Sequence, residues 1–163
     1  MENRLVKLAA FQKWANKRLR ETLSTIEYSR FSLITPYGTL LDLIVHNFGA
    51  VDLWFKRFNG FSPKSMINGS LFPNWESLSS AWEKLDNDLV EYVKKLSIDD
   101  SQKIISYTSL EGQKLKTSIE NILLHIFNHS TYHRGQVAVL LRENSLTPVK
   151  DTDYITFVYD RMN

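Results

Sequence analysis

The chain has 163 residues, a formal net charge of +2 from 20 Lys and Arg against 18 Asp and Glu, 43% hydrophobic residues and no cysteine. A chain of this length buries roughly 70% of the surface it exposes when unfolded, so one core is feasible without disulfides or a folding metal, and a single domain over residues 1–163 is expected. The missing cysteines exclude disulfide frameworks, thiolate zinc sites and cysteine nucleophiles, and the near balance of charge argues against a dedicated nucleic-acid binder.

The start, Met1-Glu2-Asn3-Arg4, carries no apolar signal region, and no run approaches the roughly 18 apolar residues of a membrane span. An unprocessed cytoplasmic protein without membrane attachment is expected. Leu5, Leu8, Phe11, Ala15, Leu19, Leu23 and Ile26 recur three and four apart, predicting an amphipathic helix from about residue 3 to 28. Lys13, Lys17 and Arg20 share one face of it, which reads as the solvated side. After Pro36 and Gly38, Thr39 and Asp42 form a plausible capping pair. The apolar stretch Leu40–Phe58 then predicts a second, deeply buried helix ending near Gly60, followed by a loop over residues 61 to 73. Trp75, Leu78, Trp82, Leu85, Leu89, Tyr92 and Leu96 keep an unbroken alternation of three and four, predicting a third helix capped by Asn74.

Between residues 103 and 117 the pattern changes to two short alternating pieces around Glu111-Gly112, which predicts a small hairpin. A fourth long helix is expected from about residue 118 to 143, with Ile119, Ile122, Ile126, Val137 and Leu140 inward. Pro148 ends that region, and Tyr154, Phe157 and Val158 suggest a short closing helix. Four long amphipathic helices with no comparable sheet predict an all-α four-helix bundle.

The four histidines are His46, His125, His129 and His133. At about 100° per residue, side chains four apart share a helix face, so the imidazoles of His129 and His133 can reach one metal ion. Both continue the stripe of Ile122, Ile126, Val137 and Leu140, positions a bundle would otherwise fill with aliphatic residues, and polar rings there need a reason. His125 lies roughly 80° from the centre of that stripe and is left out. The third ligand should come from another helix, and His46 is the only other histidine. Three histidines with one open position are the composition of catalytic rather than structural zinc. The bland alternative is a set of core histidines satisfied by hydrogen bonds, since the H-E-x-x-H motif is absent, with Ser130 where its glutamate would stand. No P-loop, G-x-G-x-x-G or G-x-S-x-G is present.

The string Asn128-His129-Ser130-Thr131-Tyr132-His133-Arg134-Gly135-Gln136 resembles the N-H-x-x-x-H-R-G-Q signature of the DinB/YfiT superfamily. Trp14-Ala15-Asn16 is similar to that family's W-A-N element, His46 lies in the second helix, and Asp153-Tyr154-Ile155 is similar to its closing D-Y segment. The resemblance implies a four-helix bundle whose His46, His129 and His133 bind a divalent metal, the same three that helical geometry selects. It implies metal competence rather than one reaction, since the family includes stress- and damage-inducible proteins and metal-dependent transferases that use small thiols such as bacillithiol or mycothiol. Homodimers are common in it.

Around these residues several roles stay open. Gln136 either orients a ligand or contacts a substrate, or is a buried polar residue bonded to a neighbouring helix. Asp42, one turn before His46, either accepts an imidazole N–H or serves the helix start. Gly135 in mid-helix suggests a close helix approach, and Trp14, Trp54, Trp75 and Trp82 read as core or interface. The expected function is a divalent-metal-dependent enzyme, with zinc or nickel activating a thiol cosubstrate or water against a small molecule. The alternative is a non-catalytic stress or interaction protein in which the histidines only join two helices.

Overall fold

A computed structural model describes residues 3–36 and 38–162. Four long helices form a bundle: α1 (Arg4–Leu23), α2 (Leu40–Phe58), α3 (Trp75–Lys95) and, after a one-turn α4 (Ile98–Ser101), α5 (Ile119–Glu143). A two-residue ribbon of β1 (Ile34–Thr35) and β2 (Gly38–Thr39) precedes α2, a hairpin of β3 (Ile104–Thr108) and β4 (Lys114–Ser118) precedes α5, and α6 (Tyr154–Asp160) closes the chain. Among the described residues no helix is long and apolar enough to cross a membrane.

Capping chemistry sets the helix starts. Asn3, Thr39, Asn74 and Ser118 each accept a first-turn backbone N–H through the side chain, satisfying donors the helix itself cannot. At α2 the cap is reciprocal: Asp42 N–H donates to Thr39 Oγ1 while Asp42 Oδ2 accepts from the Thr39 backbone N–H at 2.8 Å. The first helix is shorter than its periodicity predicts, ending at Leu23 rather than near residue 28. The hydroxyls of Ser24 and Thr25 donate to the carbonyls of Glu21 and Thr22, competing with the helical ladder, and the buried Ile26 follows in a turn. Residues Tyr28–Ser32 form a separate 3₁₀ segment.

α1 packs against α3 and α5, and α2 against α5 and α3, so α1 and α2 face each other across a diagonal. Two layers fill the interior. Leu19 and Leu23 share one with Leu43, Ile44, Trp82, Val137 and Leu141; Leu5 and Ala9 share the other with Val51, Leu89, Val93, Ile122 and Ile126. α1 and α5 therefore run parallel, with α2 and α3 antiparallel to them. Each large apolar side chain fully buried in this way contributes about 1.5–3 kcal/mol. α6 docks on the outside of α1, where Phe11, Trp14, Tyr154 and Phe157 form an aromatic cluster and the Trp14 indole N–H donates to Asp160.

One polar layer crosses the core. Asn16 Nδ2 and Arg20 Nη1 donate to the two oxygens of Asp86 at 2.8 and 2.6 Å. Arg134 Nη1 donates to Asn16 Oδ1 at 3.0 Å, and its Nη2 to Thr131 Oγ1 at 2.8 Å. Arg20 is only 6% exposed. It does not share the solvated face expected from Lys13 and Lys17, because a partner on α3 draws it inward. Burial pushes the Asp86 carboxyl up to about 7, against the pull of Arg20, Asn16 and Arg134.

Candidate metal centre

α2 and α5 cross so that His46 meets the two histidines one turn apart on α5. Ring centroids of His129 and His133 are 4.3 Å apart, those of His46 and His133 4.7 Å, and those of His46 and His129 5.1 Å. One nitrogen from each ring can be chosen so that all three lie within 4.8 Å of one another. The cluster sits at the rim of the bundle rather than at its centre: His133 is buried, His129 half-buried and His46 exposed. That gradient brings the cluster to solvent at His46. His125 stands one turn further along α5, exposed, with its ring 5.4 Å from that of His129, and does not join the group of three.

The electrostatics suit a cation held by neutral rings. Burial is the main cause that holds the imidazole of His129 down at about 4, followed by repulsion from His133, His46 and His125. Burial also lowers His46 and His133, so all three are neutral with lone pairs available near pH 7. His129 Nε2 is buried without a hydrogen-bond partner among the described residues, as are side-chain atoms of Gln12, Asn47, Arg57 and Ser130. An orphaned buried nitrogen is costly unless something binds it. His133 Nδ1 lies 2.7 Å from Gln136 Oε1. A carbonyl oxygen only accepts, so this contact puts the ring proton on Nδ1 and leaves the Nε2 lone pair free. Orphaned nitrogen, neutral rings and a fixed tautomer together fit a divalent ion.

Several roles that the sequence leaves open take one form in the structure, and one expectation, at Gly135, is overturned. Asp42 does not support an imidazole: its carboxylate is taken by the Thr39 backbone N–H and hydroxyl, so it serves the start of α2. Gly135 marks no close helix approach, since a Cβ built there meets nothing within 4 Å. Trp75 and Trp82 are core, and Trp54 packs on the edge of the core beside His125, its ring 5.8 Å from that of His125 and 4.9 Å from that of Tyr107. The Arg57 guanidinium is 4.3 Å from the Trp54 ring centroid and 4.6 Å from that of Tyr107, a cation–π pair that fixes this wall. Asp86 also carries a signal in the sequence. Its place four residues after Trp82 and three before Leu89, on the buried face of α3, is the signal that a charge had entered the core.

The DinB family model matches residues 1–160. The chain belongs to the DinB family. It is 22% identical over 162 residues to Protein DinB of Bacillus subtilis (strain 168), covering 94% of this chain and 92% of that protein. The structure of YfiT from Bacillus subtilis, described as a probable metal-dependent hydrolase with an unusual four-helix bundle topology, superposes with a TM-score of 0.65 at 13% identity. It covers 90% of this chain and 91% of YfiT. A DinB-like protein from Bacillus cereus ATCC 10987 superposes with the same TM-score of 0.65 at 20% identity, covering 87% of this chain and 91% of that one. These likenesses establish the four-helix bundle. Within it the string from Asn128 to Gln136 divides in two: His129 and His133 join the cluster with Gln136 against His133, while Arg134 turns inward and bonds Asn16.

Proposed function

We propose that this DinB protein is a divalent-metal-dependent enzyme in which His46, His129 and His133 hold zinc or nickel. The observation that carries the reading is the exposure gradient across the triad, from a buried His133 to an exposed His46, which sets the cluster at the surface rather than inside a closed core. A bound ion would supply Lewis acidity, enough to turn water or a thiol into a nucleophile near neutral pH. The chain's own residues do the rest. Gln136 holds the His133 tautomer, burial keeps the rings unprotonated, and His125 with the Trp54–Tyr107 wall narrows the approach.

The nucleophile is a low-molecular-weight thiol in the reading we favour, supplied as a cosubstrate because the chain has no cysteine. The hydrolytic version, with water in that place, draws support from the description of YfiT as a probable metal-dependent hydrolase. Cobalt substitution separates them. Addition of a small thiol to the cobalt protein should produce a sulfur-to-cobalt charge-transfer band, and a spectrum indifferent to thiols leaves the hydrolytic version. A homodimer in the cytoplasm completes the reading, and sedimentation of only a 19.0 kDa species would remove the dimer.

A further inference from the structure

Gly135 is exposed in the middle of α5, where glycine costs about 1 kcal/mol relative to alanine. Neither a left-handed backbone nor a close neighbour explains it, since its φ is not positive and its Cβ position is open space. The missing side chain leaves the floor of a groove of about 470 Å³, walled by Pro36, Tyr132, Gln136, Val139 and Leu140. That volume lies within the range of small-molecule sites, about 300–1,000 Å³. Its walls are mostly apolar yet open to water, with Tyr132 62% and Val139 48% exposed.

Two residues of the groove's lining touch the histidine cluster. Gln136 touches His133 Nδ1 at 2.7 Å, and the Tyr132 ring lies 5.0 Å from the His133 ring, edge to face. At the far end Glu143 supplies the one carboxylate of the lining among the described residues. We propose that this groove receives the apolar arm of the substrate, an uncharged aliphatic or aryl chain whose polar, reacting end lies at the three histidines. The proposal rests on the metal reading above for the reacting end and on the groove alone for the arm. Glu143 makes an anionic arm unfavourable by like-charge repulsion, and the mostly apolar walls favour an uncharged chain over a cationic one.

A series of alkyl hydroxamates from acetohydroxamate to octanohydroxamate tests this, with binding read from the visible spectrum of the cobalt-loaded protein. Affinity should rise roughly fourfold per added methylene until the groove is full. Gly135→Leu should bind acetohydroxamate as wild type does and lose the gain from chain length. Equal affinity along the series in wild type, or an undiminished gain in Gly135→Leu, would overturn the proposal. Failure of acetohydroxamate to bind would instead overturn the metal reading. The groove is then read in the metal-free protein, where hexanol should shift the Val139 and Leu140 methyl resonances in wild type but not in Gly135→Leu, and unshifted methyls would overturn it. Wild-type dimers that Gly135→Leu converts to monomers would also overturn it, placing a second copy of the chain in the groove.

Discussion

Two polar clusters interrupt the apolar interior of this bundle, and they are built on opposite principles. Asn16, Arg20, Asp86 and Arg134 lie deep between α1, α3 and α5, every residue bonded to another and none more than 6% exposed. His46, His129 and His133 lie at the rim between α2 and α5, with a buried nitrogen unpartnered and one ring in solvent. A closed network of this kind fixes which helices pack and in what register. An open one carries a cost that only a ligand relieves. The helix α5 serves both, because Arg134 follows His133 and turns about 100° away from it.

The sharpest way to break this contrast is to remove one member of the closed network. Asp86→Ala should cost about 3–5 kcal/mol in guanidinium unfolding, because it strands the buried guanidinium of Arg20, while folded protein still takes up metal. A cost under about 1 kcal/mol would show that the network adds no stability. Its pH dependence sharpens the point. With the Asp86 carboxyl raised to about 7, the folded chain between about pH 4 and pH 7 keeps a proton that the unfolded chain has released. That contribution is full below about pH 4 and lost as pH rises through 7. Wild type should therefore lose more stability than Asp86→Asn between about pH 5 and about pH 8, and parallel curves would contradict this.

At the open cluster the effects fall on the ligand. Gln136→Ala should weaken metal affinity about 10- to 100-fold by calorimetric titration, as expected when a ligand loses the group that sets its tautomer, and unchanged affinity would remove Gln136 from the site. The metal-free protein should respond to His129→Leu in the opposite sense to Asp86→Ala. Replacing an orphaned buried nitrogen by carbon should raise stability by about 1 kcal/mol, and a loss of stability would mean the ring is already satisfied. The smallest effect belongs to Asp42→Ala, which removes half of the α2 capping box at a cost of about 1 kcal/mol or less. Metal affinity should not change, and a clear loss of affinity would return Asp42 to the histidines.

The bundle was legible in the sequence because its helices carry long three-and-four stripes and their starts carry Asn, Thr or Ser caps, both local signals. The histidine cluster was legible for a related reason: spacing of four puts His129 and His133 on one face, and His46 was the only partner left. What stayed hidden depends on contacts distant in sequence. Arg20 reads as one more surface cation beside Lys17 until Asp86, 66 positions away, is found against it. Gly135 reads as a packing glycine because the pattern of one helix cannot tell what stands opposite it. Asp42 was ambiguous because a capping carboxylate and an imidazole support both belong one turn before His46. The groove needed the fold of the β1–β2 segment, which brings Pro36 beside α5.

The most direct test of the account is metal content per chain after gentle purification without an affinity tag, for wild type and for His46→Ala, His129→Ala, His133→Ala and His125→Ala. The account predicts about one divalent ion per chain in wild type and in His125→Ala, and none in the other three. A folded wild type that neither retains nor takes up metal, or a His46→Ala protein that keeps it, would contradict the account.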